Sequence, residues 1–187
     1  MNLYNETALH FSNICKDADV FSLDYRTAPN DVFPCALEDA IDGYEWILKQ
    51  GYKPENIYFC GESAGAGLCL ALTLWLRDNK KEMPNGLILS SPWTDMAAEG
   101  ESYRTKRKED YYFGYPDESK VPKHPVPIVY AGKHNLYDPY LSPVYGEYHD
   151  FPPMLIQTGE AELLLSDSDT VVSKAKAENA ADRKSVV

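Results

Sequence analysis

The sequence of 187 residues has few cysteines, no long apolar run and little concentrated positive charge. Its four cysteines form no C-x-x-C pair and its four histidines complete no metal-ligand spacing, so no metal site is predicted. No apolar run approaches the length of a membrane span, and we expect no membrane-spanning segment. The net charge of −11 argues against nucleic acid as a partner, because phosphate binding requires clustered cations.

The cysteines also bear on the compartment in which the protein works. Three of the four lie inside or beside apolar runs, which predicts small buried thiols in a reducing environment. The first residues contain neither the basic region nor the apolar region of a secretory signal. We therefore expect a cytoplasmic protein. The four residues are Cys15, Cys35, Cys60 and Cys69.

The length and composition predict one globular domain, since 44% of the residues are hydrophobic and 25% are charged. Apolar periodicity predicts strands that alternate with helices, a pattern typical of an α/β three-layer sandwich with a mainly parallel sheet between helices. The predicted strands are 18–25, 57–60, 86–90 and 152–159. The predicted helices are 4–16, 36–50, about 68–79, and 167–178 with Ser166 as its N-cap.

Residues 96–151 differ from the rest of the chain in composition. They include nine of the fourteen tyrosines and show no sustained helical or strand period. We interpret this segment as an irregular cap or lid insertion, with short helical turns, that shapes a pocket within a single domain. The alternative is an insertion that is merely exposed.

The segment 57–67 contains the strongest motif in the chain. It places the G-x-S-x-G pattern of Gly61, Ser63 and Gly65 between a β-prone run and a helix-forming run, as in a nucleophile elbow. The glycines are expected because the turn is too tight for side chains there, and Ser63 is expected to have a strained backbone. The N–H of Ala64, at the start of the helix, would stabilise developing negative charge. The pattern also arises by chance in loops rich in glycine and serine, but its flanking elements favour catalysis.

Six stretches of the sequence, considered together, resemble the hormone-sensitive-lipase family of α/β-hydrolases, a group of esterases and lipases. They occur in the family order and extend over nearly the whole chain. The matching stretches are 20–29 (VFSLDYRTAP), 33–40 (FPCALEDA), 61–67 (GESAGAG), 91–95 (SPWTD), 138–143 (DPYLSP) and 152–162 (PPMLIQTGEAE).

The resemblance implies a serine carboxylic-ester hydrolase that forms an acyl-enzyme on small or medium acyl esters, with no metal or organic cofactor. It implies that Ser63 is the nucleophile and that the Ala64 N–H is an oxyanion-hole donor. It further implies that Glu162 is the acid that orients a histidine base, with Glu160 and Asp167 as fallback candidates.

Two parts of the family pattern are absent from the sequence. The family has a His-Gly-Gly-Gly-type loop before the first helix found here, and a catalytic histidine after the acid. No histidine follows Glu162; the four present are His10, His124, His134 and His149, and we regard the last three as poor substitutes. In the family order, a strand between 18–25 and 57–60 would also be missing, which leaves a gap in the sheet and open edges. We expect a fragment truncated at both ends, with little activity.

A second hypothesis is a non-catalytic ligand-binding protein on the same scaffold. The absence of a histidine after Glu162 favours this hypothesis. The retained elbow and the retained Glu162 count against it, because a binding protein has less need for a strained serine. The oligomeric state is left open.

Overall fold

The computed structural model describes residues 3–16, 18–115 and 128–178, and its centre is a three-stranded parallel sheet. The strands lie in the order β1-β2-β3, and both neighbouring pairs are parallel. The sheet therefore confirms the predicted α/β class. The strands are β1 (Tyr58–Glu62), β2 (Gly86–Ser90) and β3 (Met154–Gln157).

Five α-helices accompany the sheet in the described part of the chain, and four of them match predicted helices. Helix α2 ends where predicted, because Gly51 follows it with a φ of +97° that favours glycine. The helices are α1 (Leu3–Ile14), α2 (Cys35–Lys49), α3 (Ala64–Asp78), α4 (Ser102–Thr105) and α5 (Leu165–Ala177).

The predicted start of α5 is wrong. The helix begins at Leu165, and Ser166 lies within its first turn and does not cap it. The Ser166 N–H donates to Oγ of Ser102 at 3.0 Å, so a serine from a distant segment accepts one of the free N–H groups of this helix end. A pattern of neighbouring residues cannot predict such a contact.

Helix α3 packs on one face of the sheet together with α5. Leu70 and Leu74 of α3 are fully buried against Leu89 of β2, Ile156 of β3 and Val171 of α5. The opposite face is less covered within the described residues, since alternate strand positions remain exposed. These exposed residues are Tyr58, Cys60 and Leu155.

The strand predicted at 18–25 is not formed. The segment lies over α2 as irregular backbone, where Phe21 stacks on Trp46 with 5.4 Å between ring centroids and Leu23 lies close to Gly43. A strand requires a hydrogen-bonded neighbour, and none of the described strands pairs with this segment or with the outer edge of β1. Apolar composition alone therefore misidentified its conformation.

An ion pair fixes the end of this segment on α2. The Arg26 guanidinium donates to both carboxylate oxygens of Asp39, with its shortest bond at 2.8 Å, and also to Glu38. These bonds hold the pKa of the Asp39 carboxyl below its ordinary value. The pair attaches Arg26 to the helix that Phe21 and Leu23 also contact.

The four cysteines are less buried than predicted. Cys15 and Cys60 are exposed, whereas Cys35 and Cys69 are partly buried, and all four thiols are free. Cys60 is exposed because it lies on the uncovered face of β1. Within the described ranges, none of the helices has both the length and the apolar character needed to cross a bilayer.

The segment predicted as a cap is irregular in its described parts, 96–115 and 128–151. Besides α4, these described parts contain only two 3-10 turns, Val129–Ala131 and Pro143–Tyr145. Its Tyr103 and Tyr148 are almost fully buried, so these parts contribute side chains to the core. A role as a cap stays a prediction.

The two faces of β3 give a direct test of this packing. Ile156 is 3% exposed and Leu155 is 42% exposed, although they are neighbours on one strand. We expect Ile156→Ala to lower the free energy of unfolding by about 2–5 kcal/mol, because it leaves a cavity between β3 and the helices. Leu155→Ala, the matched control, should cost less than about 1 kcal/mol. Urea unfolding followed by circular dichroism measures both, and equal losses would contradict the assignment of faces.

Candidate active site

Ser63 connects β1 to α3 in a backbone conformation that side chains rarely adopt, with φ +51° and ψ −117°. Three backbone hydrogen bonds hold it there. Its N–H donates to the Ser90 carbonyl at 2.9 Å, and its carbonyl accepts from Gly67 and Trp93, each at 3.0 Å. A strained residue costs about 1–3 kcal/mol and persists only where its surroundings fix it, as these bonds do.

Two polar groups at this turn are left without partners in the described structure. The Ser63 hydroxyl makes no hydrogen bond there, and the Ala64 N–H, at the first residue of α3, donates to no acceptor there. The positive end of the 15-residue helix α3 lies at the same point. The turn therefore brings together an available hydroxyl and an available N–H, and the roles of Ser63 as nucleophile and of Ala64 as oxyanion-hole donor stay predictions.

The elbow glycines have different roles. A Cβ at Gly61 would lie 2.5 Å from the Gly65 carbonyl oxygen, so Gly61 allows β1 and α3 to meet. For Gly65 the steric prediction is wrong, because a Cβ there would have no neighbour within 4 Å. Gly67 has a steric role that was not predicted, since an added Cβ there would lie 2.2 Å from the Trp93 carbonyl oxygen.

Glu162 lies beyond β3 with one carboxylate oxygen fixed. Its Oε1 accepts the Ser91 hydroxyl at 2.9 Å and the Gly159 N–H at 3.0 Å. Its Oε2 accepts no hydrogen bond from the described residues. A Cβ at Gly159 would lie 2.8 Å from Oε1, so this glycine permits the contact.

The three parallel strands bring the site residues to one edge of the sheet. Ser63 follows β1, Ser91 follows β2 and Glu162 comes five residues after β3, so all three lie beyond carboxyl ends. This edge is where open α/β sheets hold their active sites. Ser63 and Glu162 are predicted from the sequence, whereas the contacts of Ser91 and Gly159 are not. Ser91 lies in a recognised motif, yet its contact partner is 71 residues away.

The fallback acids differ from Glu162 in environment. The Glu160 side chain is exposed and makes no polar contact with described residues. Asp167 is 1% exposed, and its Oδ2 accepts the N–H groups of Thr94 at 2.7 Å and Asp95 at 2.8 Å and the Tyr103 hydroxyl at 3.2 Å. Burial raises the pKa of Asp167 to about 7 against the opposing effect of these donors. Asp167 is therefore a buried link between α5 and the loop after β2.

No described histidine contacts Ser63 or Glu162. His149 precedes β3, at the opposite edge of the sheet, and its ring contacts Asp150 at 3.0 Å. His134 packs edge-on against Phe33, with ring centroids 5.1 Å apart. His124 lies outside the described residues, and His10 is an exposed residue of α1. Among the residues that the structure describes, no group of three or more histidine, cysteine or acidic side chains could hold a metal ion.

The elbow glycines provide a matched pair of substitutions. We expect Gly61→Ala to destabilise the fold by more than about 2 kcal/mol, because the methyl group would overlap backbone atoms that cannot move independently. Gly65→Ala should change stability by less than about 1 kcal/mol, because its methyl group enters open space on a helix. Thermal unfolding of both variants measures the difference; a Gly65→Ala protein as unstable as Gly61→Ala would contradict this geometry.

The pKa of Asp167 predicts a pH-dependent stability. Burial raises this pKa from 3.8 to about 7, so the protonated carboxyl stabilises the fold below about pH 4, and this contribution is lost as the pH rises through about 7. The unfolding free energy of the wild type relative to Asp167→Asn should fall over that range by up to ~4 kcal/mol. Urea unfolding at several pH values checks this, with Glu160→Gln as the control. A difference that stays constant with pH would contradict the shift.

Residues 5–185 match the family model described as alpha/beta hydrolase fold. An acetyl-hydrolase from Streptomyces hygroscopicus is 35% identical over 162 residues, which cover 85% of this chain and 52% of that protein. A solved esterase/lipase from an uncultured bacterium gives a TM-score of 0.87 at 34% identity, over 99% of this chain and 60% of that chain. A solved esterase from the bacterial hormone-sensitive lipase family gives 0.78 at 36% identity, over 87% and 53% respectively.

The chain thus spans about half the length of the relatives that it matches. The family model nevertheless covers almost all of the chain, including every strand and the elbow. The chain belongs to the α/β-hydrolase fold family, in its hormone-sensitive-lipase group of esterases and lipases.

Proposed function

We propose that the protein is a serine carboxylic-ester hydrolase in which Ser63 is the nucleophile. One observation carries the proposal: a strained serine with an available hydroxyl lies beside an available N–H, at the sheet edge that also holds Glu162. Strain of this kind is typical of functional sites. A binding pocket alone does not require it.

The reaction that these residues support begins with attack of the Ser63 Oγ on the ester carbonyl carbon. The hydroxyl proton passes to a base as the bond forms, and the Ala64 N–H donates to the developing oxyanion. The alcohol leaves with a proton, and water then attacks the acyl-enzyme to release the acid. Glu162 has its Oε2 available to orient an imidazole and to stabilise it when it is protonated.

The base determines how fast this chain can react. No described histidine occupies the place of the base, and loss of the histidine from such a triad costs on the order of 10⁶ in turnover. We therefore expect slow hydrolysis by the 187 residues alone. An imidazole supplied in solution should accelerate it, because Ser63 is partly exposed and its hydroxyl has no partner among the described residues.

Short-acyl esters are the proposed substrates. The support comes from relatives named acetyl-hydrolase and esterase, and from membership of a family of esterases and lipases. No metal or organic cofactor enters the proposed steps, since each is a proton transfer or an acyl transfer by a side chain, a backbone N–H or water. The alcohol part of the ester stays open.

We also infer that the protein works in the cytoplasm. All four thiols are free, and Cys15 and Cys60 are exposed, where an oxidising compartment would favour disulfide formation.

The test of the proposal is hydrolysis of p-nitrophenyl acetate by the 187-residue chain at increasing imidazole concentrations. The Ser63→Ala variant at the same concentrations measures the reaction of imidazole alone. We expect a Ser63-dependent rate that rises with imidazole and saturates, because the base binds at a site oriented by Glu162. Far-UV circular dichroism establishes that both proteins are folded.

The same measurement separates the enzyme from the second candidate, a ligand-binding protein on this scaffold. The observation that favours the second candidate is that no histidine among the described residues contacts Ser63 or Glu162. A folded wild-type chain that matches Ser63→Ala at every imidazole concentration would contradict the enzymatic proposal. Saturable binding of an ester without turnover would then support the binding protein.

A further inference from the structure

Ser91, directly after β2, has a positive φ, as Ser63 has directly after β1. Its φ is +43°, a left-handed value that side chains rarely adopt. Its N–H donates to the Gln157 carbonyl at 2.7 Å, which ties it to β3. Ser91 therefore lies between the nucleophile and the acid, at the same edge of the sheet.

Glycine would adopt the Ser91 backbone at lower conformational cost, because the strain arises from the Cβ. What serine adds is its hydroxyl, which donates to Oε1 of Glu162 at 2.9 Å. This hydroxyl is partly buried, so water screens the bond less than it would a surface contact. The hydroxyl contact gives a physical reason for serine at this strained position.

The Ser91 hydroxyl and the Gly159 N–H donate to the same oxygen of Glu162. Ser91 lies in the loop after β2, and Gly159 lies in the loop after β3. Two donors on Oε1 fix both the position and the rotation of the carboxylate. Oε2 is left without a partner among the described residues. Only this second oxygen is then available to accept a hydrogen bond from an imidazole.

We propose that Ser91 is a positioning residue that aims the free oxygen of Glu162 at the base. The proposal rests on the proposed esterase function, and it assigns to Ser91 no contact with the ester. Removing the hydroxyl should leave Glu162 free to rotate and to accept other donors. The imidazole would then be oriented less well, whereas ester binding would be unaffected.

The expected loss follows from the size of one hydrogen bond to a charged group, which corresponds to a fall in rate of about 10-fold. We expect Ser91→Ala to lower the imidazole-dependent kcat for p-nitrophenyl acetate by this factor, with KM for the ester unchanged. Ser91→Gly should lower kcat equally, although it relieves the backbone strain. Because the two variants share the lost hydroxyl and differ in strain, equal losses would assign the effect to the hydroxyl.

A double-mutant cycle with Glu162→Ala tests whether Ser91 acts through Glu162. If it does, Ser91→Ala should cost nothing further in the Glu162→Ala background, whereas independent roles would give additive losses. A second cycle on the free energy of unfolding measures the same contact without catalysis. A non-zero coupling there is expected, and zero coupling would overturn the contact.

The outcomes distinguish the positioning role from the esterase function itself. Ser63-dependent hydrolysis that Ser91→Ala leaves unchanged overturns the positioning role alone. A loss in Ser91→Ala that Ser91→Gly restores also overturns it, because the cause would then be backbone strain. A wild-type chain with no Ser63-dependent hydrolysis overturns the esterase function, and the positioning role fails with it.

Discussion

The candidate site depends on how the backbone of Ser63 is held. Its carbonyl accepts N–H groups from Gly67 in α3 and Trp93 in the loop after β2, and its own N–H binds the carbonyl of Ser90. These bonds connect β1, α3 and the loop after β2 at one residue. They maintain the positive φ of Ser63, which is unfavourable in an unrestrained chain. The available hydroxyl and the available Ala64 N–H follow from that conformation.

The loop after β2 connects the Ser63 turn to the rest of the fold through hydrogen bonds. At Trp93 it binds the elbow, and at its next residues, Thr94 and Asp95, it binds the buried carboxyl of Asp167 in α5. At its start, Ser91 binds Glu162 beyond β3. One short loop thus makes hydrogen bonds to Ser63, to Glu162 and to Asp167 of α5. These bonds explain how three separate stretches of sequence form one site.

Local patterns predicted the parts of the structure that depend on neighbouring residues. The apolar run at 86–90 predicted β2, and the G-x-S-x-G pattern with its flanking elements predicted the turn at Ser63 between β1 and α3. The strand at 18–25 was wrong because a strand needs a partner, and the described sheet supplies none. Contacts between distant residues, such as Ser91 with Glu162, leave no local periodicity and emerge only when the strands align.

We propose that the Ser63 hydroxyl is a nucleophile because the strained backbone keeps it available for reaction. The most direct measurement is mass spectrometry of the folded chain after reaction with a fluorophosphonate in the presence of imidazole, followed by mapping of the modified peptide. We expect one adduct, on Ser63, because this serine combines an available hydroxyl with an N–H donor for the phosphoryl oxygen. An unmodified Ser63, or adducts spread over other serines at similar rates, would contradict it.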